Sequence, residues 1–174
     1  VSMMITRRLP WLFVNLGTAF LSAFVISRFE ATIAKIAVLA VFQSVVAGLG
    51  GNAGTQALAI MVRGLALKQI EFRHVWRALG RELVIGLLHG LAIGIAVASI
   101  VYLWRGNPLL GLIIGLATFG NLLVAGVMGT LVPLTLKYFR QDPALASSTL
   151  VTGITDVIGF ALFLGLATLY LPYL

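Results

Sequence analysis

One acidic residue lies deep inside an apolar run. Asp156 stands 13 residues beyond Pro143, about 20 Å along a helix at the standard rise of the α-helix. In a bilayer that depth is close to the middle, where a carboxylate costs at least about 2.5 to 3.5 kcal/mol. It is therefore expected to face water, a cation or a partner, with a structural hydrogen bond to a neighbouring helix as the plainer alternative. Ser148, Thr152, Thr155 and Asp156 fall at i, i+4, i+7 and i+8, which is one face of one helix. Ser and Thr alone would only satisfy their own backbone carbonyls, so the chemistry of this stripe rests on the aspartate. The adjacent Gly153 and Gly159 leave carbonyl oxygens open, and oxygen is what hard cations seek.

A second cluster sits in the middle of an earlier apolar run. Gly48, Gly50, Gly51, Asn52 and Gly54, followed by Thr55 and Gln56, are expected to unwind or break a helix at membrane depth. Irregular backbone is tolerated there only inside protein or along a watery cavity. Pore lining is the favoured reading over close packing, because Asn52 and Gln56 add polar groups that packing does not need. Asn121, isolated in another apolar run, is read as an interhelical hydrogen bond or a pore-facing amide. His89 reads as a packing or hydrogen-bonded residue, with a proton relay to Asp156 as the minor alternative.

Other chemistries lack their parts. The sequence has no His-Glu-x-x-His helix, no Gly-x-Ser-x-Gly elbow, no phosphate loop with its Lys and no cysteine. No enzyme activity is expected. A net charge of +7 and a pI near 10.6 would suggest nucleic acid in a water-soluble chain. Here the basic residues flank apolar runs instead of forming a basic domain, so no nucleic-acid partner is expected.

The elements that must position these residues are membrane helices. Of the 174 residues, 60% are hydrophobic and 10% charged, and the mean hydropathy is +1.08, too apolar for a water-facing surface. Five runs are long enough to cross about 30 Å of hydrocarbon, at approximately 9–27, 33–62, 83–104, 108–136 and 143–174. The expected fold class is an all-α integral membrane protein, with residues 1–174 forming one transmembrane domain. Strands are excluded because a lipid-exposed barrel needs many short alternating segments. The first run has no small-residue cleavage site and reads as a true span, with Arg7 and Arg8 before it as an orientation anchor. An opening at Val1, almost at a span, is expected of a piece of a longer protein.

Charge sets the orientation. Arg7, Arg8, Arg63, Lys68, Arg73, Arg77, Arg81, Lys137 and Arg140 fall on one side, and Arg28, Lys35 and Arg105 on the other. That asymmetry puts the N-terminus in the cytoplasm and the C-terminus outside, in a multi-pass protein of the cell inner (plasma) membrane. In the third run Gly86, Gly90, Gly94 and Ala98 recur every four residues, a pattern for close helix contact. The fourth repeats it with Gly111, Gly115, Gly126 and Gly129, and Pro133 is expected to kink it. Arg73, Arg77 and Arg81 are spaced by four on a predicted helix at the cytoplasmic surface. Their stripe faces solvent or lipid headgroups, or else docks an acidic regulatory domain.

The run Gly50-Gly-Asn-Ala-Gly-Thr-Gln56 resembles the Gly-Gly-Asn-x-Gly-x-Gln motif of the MgtE magnesium channels. Asp142-Pro-Ala-Leu-Ala-Ser-Ser148, continuing through Thr152 and Thr155-Asp156 to Gly159, looks like the fifth helix of that family. Arg8-Leu-Pro-Trp11 resembles the start of its first helix, and Asn121 to Pro133 is similar to its fourth, so the likeness covers nearly the whole chain. The resemblance implies a homodimer with five helices per subunit and a pore at the homodimer axis. It also implies a hydrated Mg²⁺ near Asp156, the Thr152 carbonyl as an acceptor and Asn52 in the opposite wall. Family members usually carry cytoplasmic N-terminal and CBS regulatory domains, which are absent from this chain. Two departures bear on selectivity: Gly153 stands where many relatives have Thr, and Ser148 where some have Asn.

Physical reasoning reaches the same place from the ion. Mg²⁺ gives up its waters reluctantly, so a channel is expected to hold the hydrated ion through a few carboxylates and carbonyls. A single Asp per chain is too little charge for a dication, and a two-fold dimer would bring two Asp156 carboxylates together. The leading expectation is a passive channel for Mg²⁺, with Co²⁺, Mn²⁺ and Ni²⁺ as further ions. A dication gains about 4.6 kcal/mol per 100 mV, so no coupling ion is needed. The rivals are a proton- or sodium-coupled carrier using Asp156 and His89, and a non-conducting membrane scaffold. Expected partners are a second copy of the chain, membrane lipid, divalent ions and a regulatory domain.

Overall fold

The computed structural model describes residues 2–69 and 75–174. Its helices are α1 (Ser2–Ser27), α2 (Glu30–Lys35), α3 (Val38–Ala66), α4 (Val75–Arg105), α5 (Pro108–Tyr138) and α6 (Pro143–Leu169), with a closing 3-10 turn at Leu171–Tyr173. Five of them, α1, α3, α4, α5 and α6, are long and apolar enough to cross a membrane. No strand occurs among the described residues. The chain is an all-α membrane protein.

Local chemistry sets the boundaries. Gly106, at φ +68°, ends α4. The next residue, Asn107, accepts from the N–H groups of Leu109 and Leu110 at 3.0 Å each. Pro108 then occupies the first helical position, where its missing N–H costs nothing. This two-residue connection makes α4 and α5 an antiparallel hairpin. α3 and α5 end alike: Lys68 and Arg140 adopt φ of 55° and 57°, and the N–H groups of Gln69 and Gln141 return to the carbonyls of Gly64 and Leu136 at 2.9 Å. A basic residue at each of these ends also suits the negative pole of the helix.

α5 is the central helix and packs against α4, α3 and α6, whereas α1 packs chiefly on α6. The largest apolar core joins Leu39, Phe42 and Val46 of α3, Val101 of α4, Ile113 and Ile114 of α5, and Phe163 and Leu164 of α6. A second core, around Val132, Leu136 and Val151, lies towards the other end of the bundle. Between them the α3–α5–α6 junction is built of glycines and one amide. Along the hairpin the glycine stripes meet face to face. A methyl built on Gly94 would lie 2.9 Å from the Gly115 carbonyl oxygen, and one on Gly115 would lie 2.6 Å from that of Gly94. Only hydrogen at these positions lets the backbones approach, which replaces the hydrophobic drive that lipid does not provide.

Four expectations need correction. The second span does not start at 33. Ile33 to Lys35 belong to the short α2, Ile36 leaves helical geometry at φ −131°, and α3 runs to Ala66. The Thr32 hydroxyl of α2 pairs with that of Thr168 on α6 at 2.8 Å. Because Thr168 already donates to the Leu164 carbonyl, Thr32 is the donor. The glycine cluster does not break α3, which is one helix through residues 48–56; Gly50, Gly51 and Gly54 instead let it lie close against α5 and α6. Among the described residues Arg77 and Arg81 form no separate surface helix but stand in the turns of α4 that precede its apolar span. Arg73 lies outside the described residues. Finally, α6 ends at Leu169 and not at 174, since Pro172 sits in the closing 3-10 turn. Helix α5 continues through Pro133.

Candidate ion site between the first and last helices

Asp156 is half-buried on α6. It lines a cavity of ≈ 270 Å³ whose walls are Asn15, Thr18, Ala19, Ser22, Ala23 and Ile26 of α1 and Thr152 and Gly153 of α6. Among the described residues no hydrogen bond or ion pair holds its carboxylate. The charge therefore faces a partly polar space, unclamped by a basic group. Asn15, Thr18 and Ser22 follow one another at i, i+3 and i+7, so a single face of α1 carries all three. Thr18 donates its hydroxyl to the Asn15 carbonyl at 3.0 Å, which leaves the Asn15 amide available.

The approach of α1 depends on Gly153. A methyl built there would lie 2.6 to 2.8 Å from three side-chain atoms of Thr18. Its missing side chain lets α1 come close enough to form the second wall.

The residues singled out from the sequence separate into three groups. Asp156 and Thr152 share the cavity. Thr155 is fully buried, and its hydroxyl donates to the carbonyls of Val151 at 3.0 Å and Thr152 at 2.9 Å. The Thr152 carbonyl thus already carries a side-chain donor. Asn52 and Ser148 are exposed and are not in this lining. Asn52 follows Gly51, where a built methyl would lie 3.5 Å from the Thr152 methyl, so α3 and α6 touch at this level.

Asn121 is fully buried and donates its amide N–H to the Val46 carbonyl of α3 at 2.9 Å. It is the interhelical hydrogen bond and not a pore-facing amide. Side chains built at Gly50 and Gly159 would run into its amide group, so glycines on α3 and α6 frame the slot that holds it. His89 lies in a separate cavity of ≈ 90 Å³ with Gln56 and Glu82. With α5 between α4 and α6, the geometry gives no relay from Asp156 to His89.

Sequence reasoning missed Asn15, Thr18 and Ser22. The stripe counting that drew attention to α6 would have found the same signal in the first span. Their oxygen and amide groups, with one carboxylate, make a donor set for a hard cation that keeps its waters. Among the described residues no three His, Cys, Asp or Glu side chains cluster to strip an ion.

Residues 43–166 match the family model of MgtE, described as a divalent cation transporter. The chain belongs to the MgtE family. Three curated relatives, each named magnesium transporter MgtE, agree with that assignment. The Bacillus subtilis protein is 33% identical over 95% of this chain, that of Enterococcus faecalis 34% over 97%, and that of Thermus thermophilus 32% over 94%. The chain spans 36 to 37% of the length of these relatives. The MgtE family match takes in the glycine cluster of α3, Asn121 and Asp156, while the α1 wall of the cavity lies before it.

Proposed function

We propose that residues 1–174 form the transmembrane pore domain of an MgtE channel that conducts Mg²⁺ into the cytoplasm, with the hydrated ion held near Asp156 in a homodimer. The observation that carries this reading is an unpaired carboxylate at mid-span facing a cavity with oxygen-bearing walls. The relatives, each named a magnesium transporter, supply the ion. Waters of the hydrated ion donate to the Asp156 carboxylate and to the oxygens of Asn15, Ser22 and Thr152, so the ion passes without losing its inner shell. Two subunits provide two carboxylates, matching the charge of one dication. Asn52 and Ser148, exposed on α3 and α6, are the groups that a partner copy would bring toward the same path, and Thr155 holds the backbone of α6 in register behind it.

The membrane potential drives the ion inward, worth about 4.6 kcal/mol per 100 mV for two charges. The N-terminus and the α3–α4 and α5–α6 connections face the cytoplasm, the side on which a regulatory domain would act. Co²⁺, Mn²⁺ and Ni²⁺ are further divalent ions that the same oxygen-lined path is expected to admit. Planar-bilayer recording of the purified protein tests the mode of transport. Unitary Mg²⁺ currents are expected. Saturable flux that depends on a proton or sodium gradient would replace the channel with a carrier, and electrically silent membranes with no flux would leave only a scaffold.

A further inference from the structure

A cavity of ≈ 420 Å³ lies where α3 ends and α4 begins, distinct from the ion site, and is lined by Ile60, Met61, Gln69, Arg77, Ala78, Arg81, Glu82 and Ile85. We propose that this cavity binds the phosphate headgroup of an anionic phospholipid of the cytoplasmic leaflet, held by Arg77 and Arg81.

Arg77 and Arg81 are four residues apart on one helical face, and both are exposed. Among the described residues neither is engaged in a hydrogen bond or an ion pair. Two free guanidinium groups one turn apart can each offer a fork of N–H donors to phosphate oxygens. Among the described residues of the lining Glu82 is the only acid, so two positive groups face one negative group there and an anion is still favoured. Gln69, whose backbone is anchored to the Gly64 carbonyl at 2.9 Å, adds a neutral amide at the rim.

The surroundings select a lipid over a soluble anion. Ile60 is 65% exposed beside the cavity, and Trp76, next to Arg77, is 84% exposed. Trp at such a level is typical of the membrane interface, where its ring lies among headgroups. Beyond Arg81, α4 presents the exposed Leu83, Val84, Leu87 and Leu88, a surface for acyl chains. An amphipathic ligand with a phosphate head and apolar tails fits both halves. The same end of the bundle carries the excess of Lys and Arg, which identifies the leaflet that is rich in anionic lipid.

Native mass spectrometry on the full chain, released from nanodiscs of phosphatidylcholine with phosphatidylglycerol, tests the assignment. Wild type is expected to retain phosphatidylglycerol selectively. Each basic residue near the surface contributes about fivefold to the binding of anionic lipid, so the Arg77→Gln, Arg81→Gln double variant should lose about 25-fold. Glu82→Gln should move retention the other way, by about fivefold, a gain that general damage to the fold would not produce. Inorganic phosphate and poly-glutamate are added as competitors. Displacement by phosphate would make the ligand a soluble anion, displacement by poly-glutamate would make the cavity a dock for an acidic domain, and equal lipid retention in all variants would remove the site. Each of these outcomes overturns the proposal.

Discussion

At the residue scale the polar side chains of the helices differ in whether their own chain already satisfies them. Asp156 has no partner within the described chain, whereas Thr155 is tied to two carbonyls of its own helix. The first can serve an ion and the second serves the helix. Asn15 belongs with Asp156, since its amide lines the same cavity. Removing a hydrogen bond to a charged group costs about 1.5 to 3 kcal/mol. Asn15→Leu is therefore expected to weaken apparent Mg²⁺ affinity at least about tenfold, measured as the half-saturating concentration of Mg²⁺ flux into proteoliposomes, with unchanged helicity. Asn121 acts differently, through packing. Interhelical side-chain hydrogen bonds in membranes are worth about 0.6 kcal/mol on average and at most about 1.7, so Asn121→Ala should be mild. Gly50→Ala drives a methyl into the amide and should cost more, about 1 to 3 kcal/mol. The double variant should be more stable than Gly50→Ala alone, because the collision is gone. Denaturant unfolding in detergent reads this coupling, and strict additivity would separate Gly50 from Asn121.

At the element scale the glycines of α4 and α5 decide how closely the hairpin closes. A methyl on Gly115 would meet the backbone oxygen of Gly94, which cannot rotate away as a side chain can. Gly115→Ala is expected to destabilise by about 1 to 3 kcal/mol. Gly80, with nothing near a built methyl, should instead gain up to about 1 kcal/mol as Ala from helix propensity. Opposite signs in thermal unfolding would support close approach as the role of Gly115, and equal effects would not. These elements were largely legible in the sequence. Apolar length marked the five spans, and spacing by four marked the hairpin stripe of Gly86, Gly90 and Gly94. Helix ends were less so. Residues 33–35 carry the same apolar signal as the span that follows, and Arg77 and Arg81 look like loop charge because hydropathy registers where the lipid ends, not where hydrogen bonding ends. The glycine run of α3 misled for a related reason. Glycine signals both a broken helix and a tightly packed one, and only the neighbours at Asn121, Thr152 and Val151 distinguish them. Asp156 and Thr152 were legible because a charge in lipid demands an explanation. The opposing wall of Asn15, Thr18 and Ser22 was not, because neutral polar residues in a first span raise no comparable cost.

At the scale of the whole molecule, one chain offers one mid-span carboxylate and a first helix that packs chiefly on α6. Such a helix leaves apolar side chains such as Phe13, Phe20 and Phe24 exposed, to be covered by lipid or by a second copy. A dimer that apposed the α1–α6 cavities would bring two Asp156 groups to one path and halve the charge each must supply. On the function proposed above, this carboxylate carries the permeating ion and does not hold the fold. The most direct measurement is Mg²⁺ influx into proteoliposomes under an inside-negative potential, comparing wild type with Asp156→Ala at equal amounts of folded, equally oligomeric protein. Robust influx is expected for wild type and a loss of at least about a hundredfold in the variant, in line with removing a charge that stabilises the ion by several kcal/mol. Influx undiminished in Asp156→Ala would contradict that role.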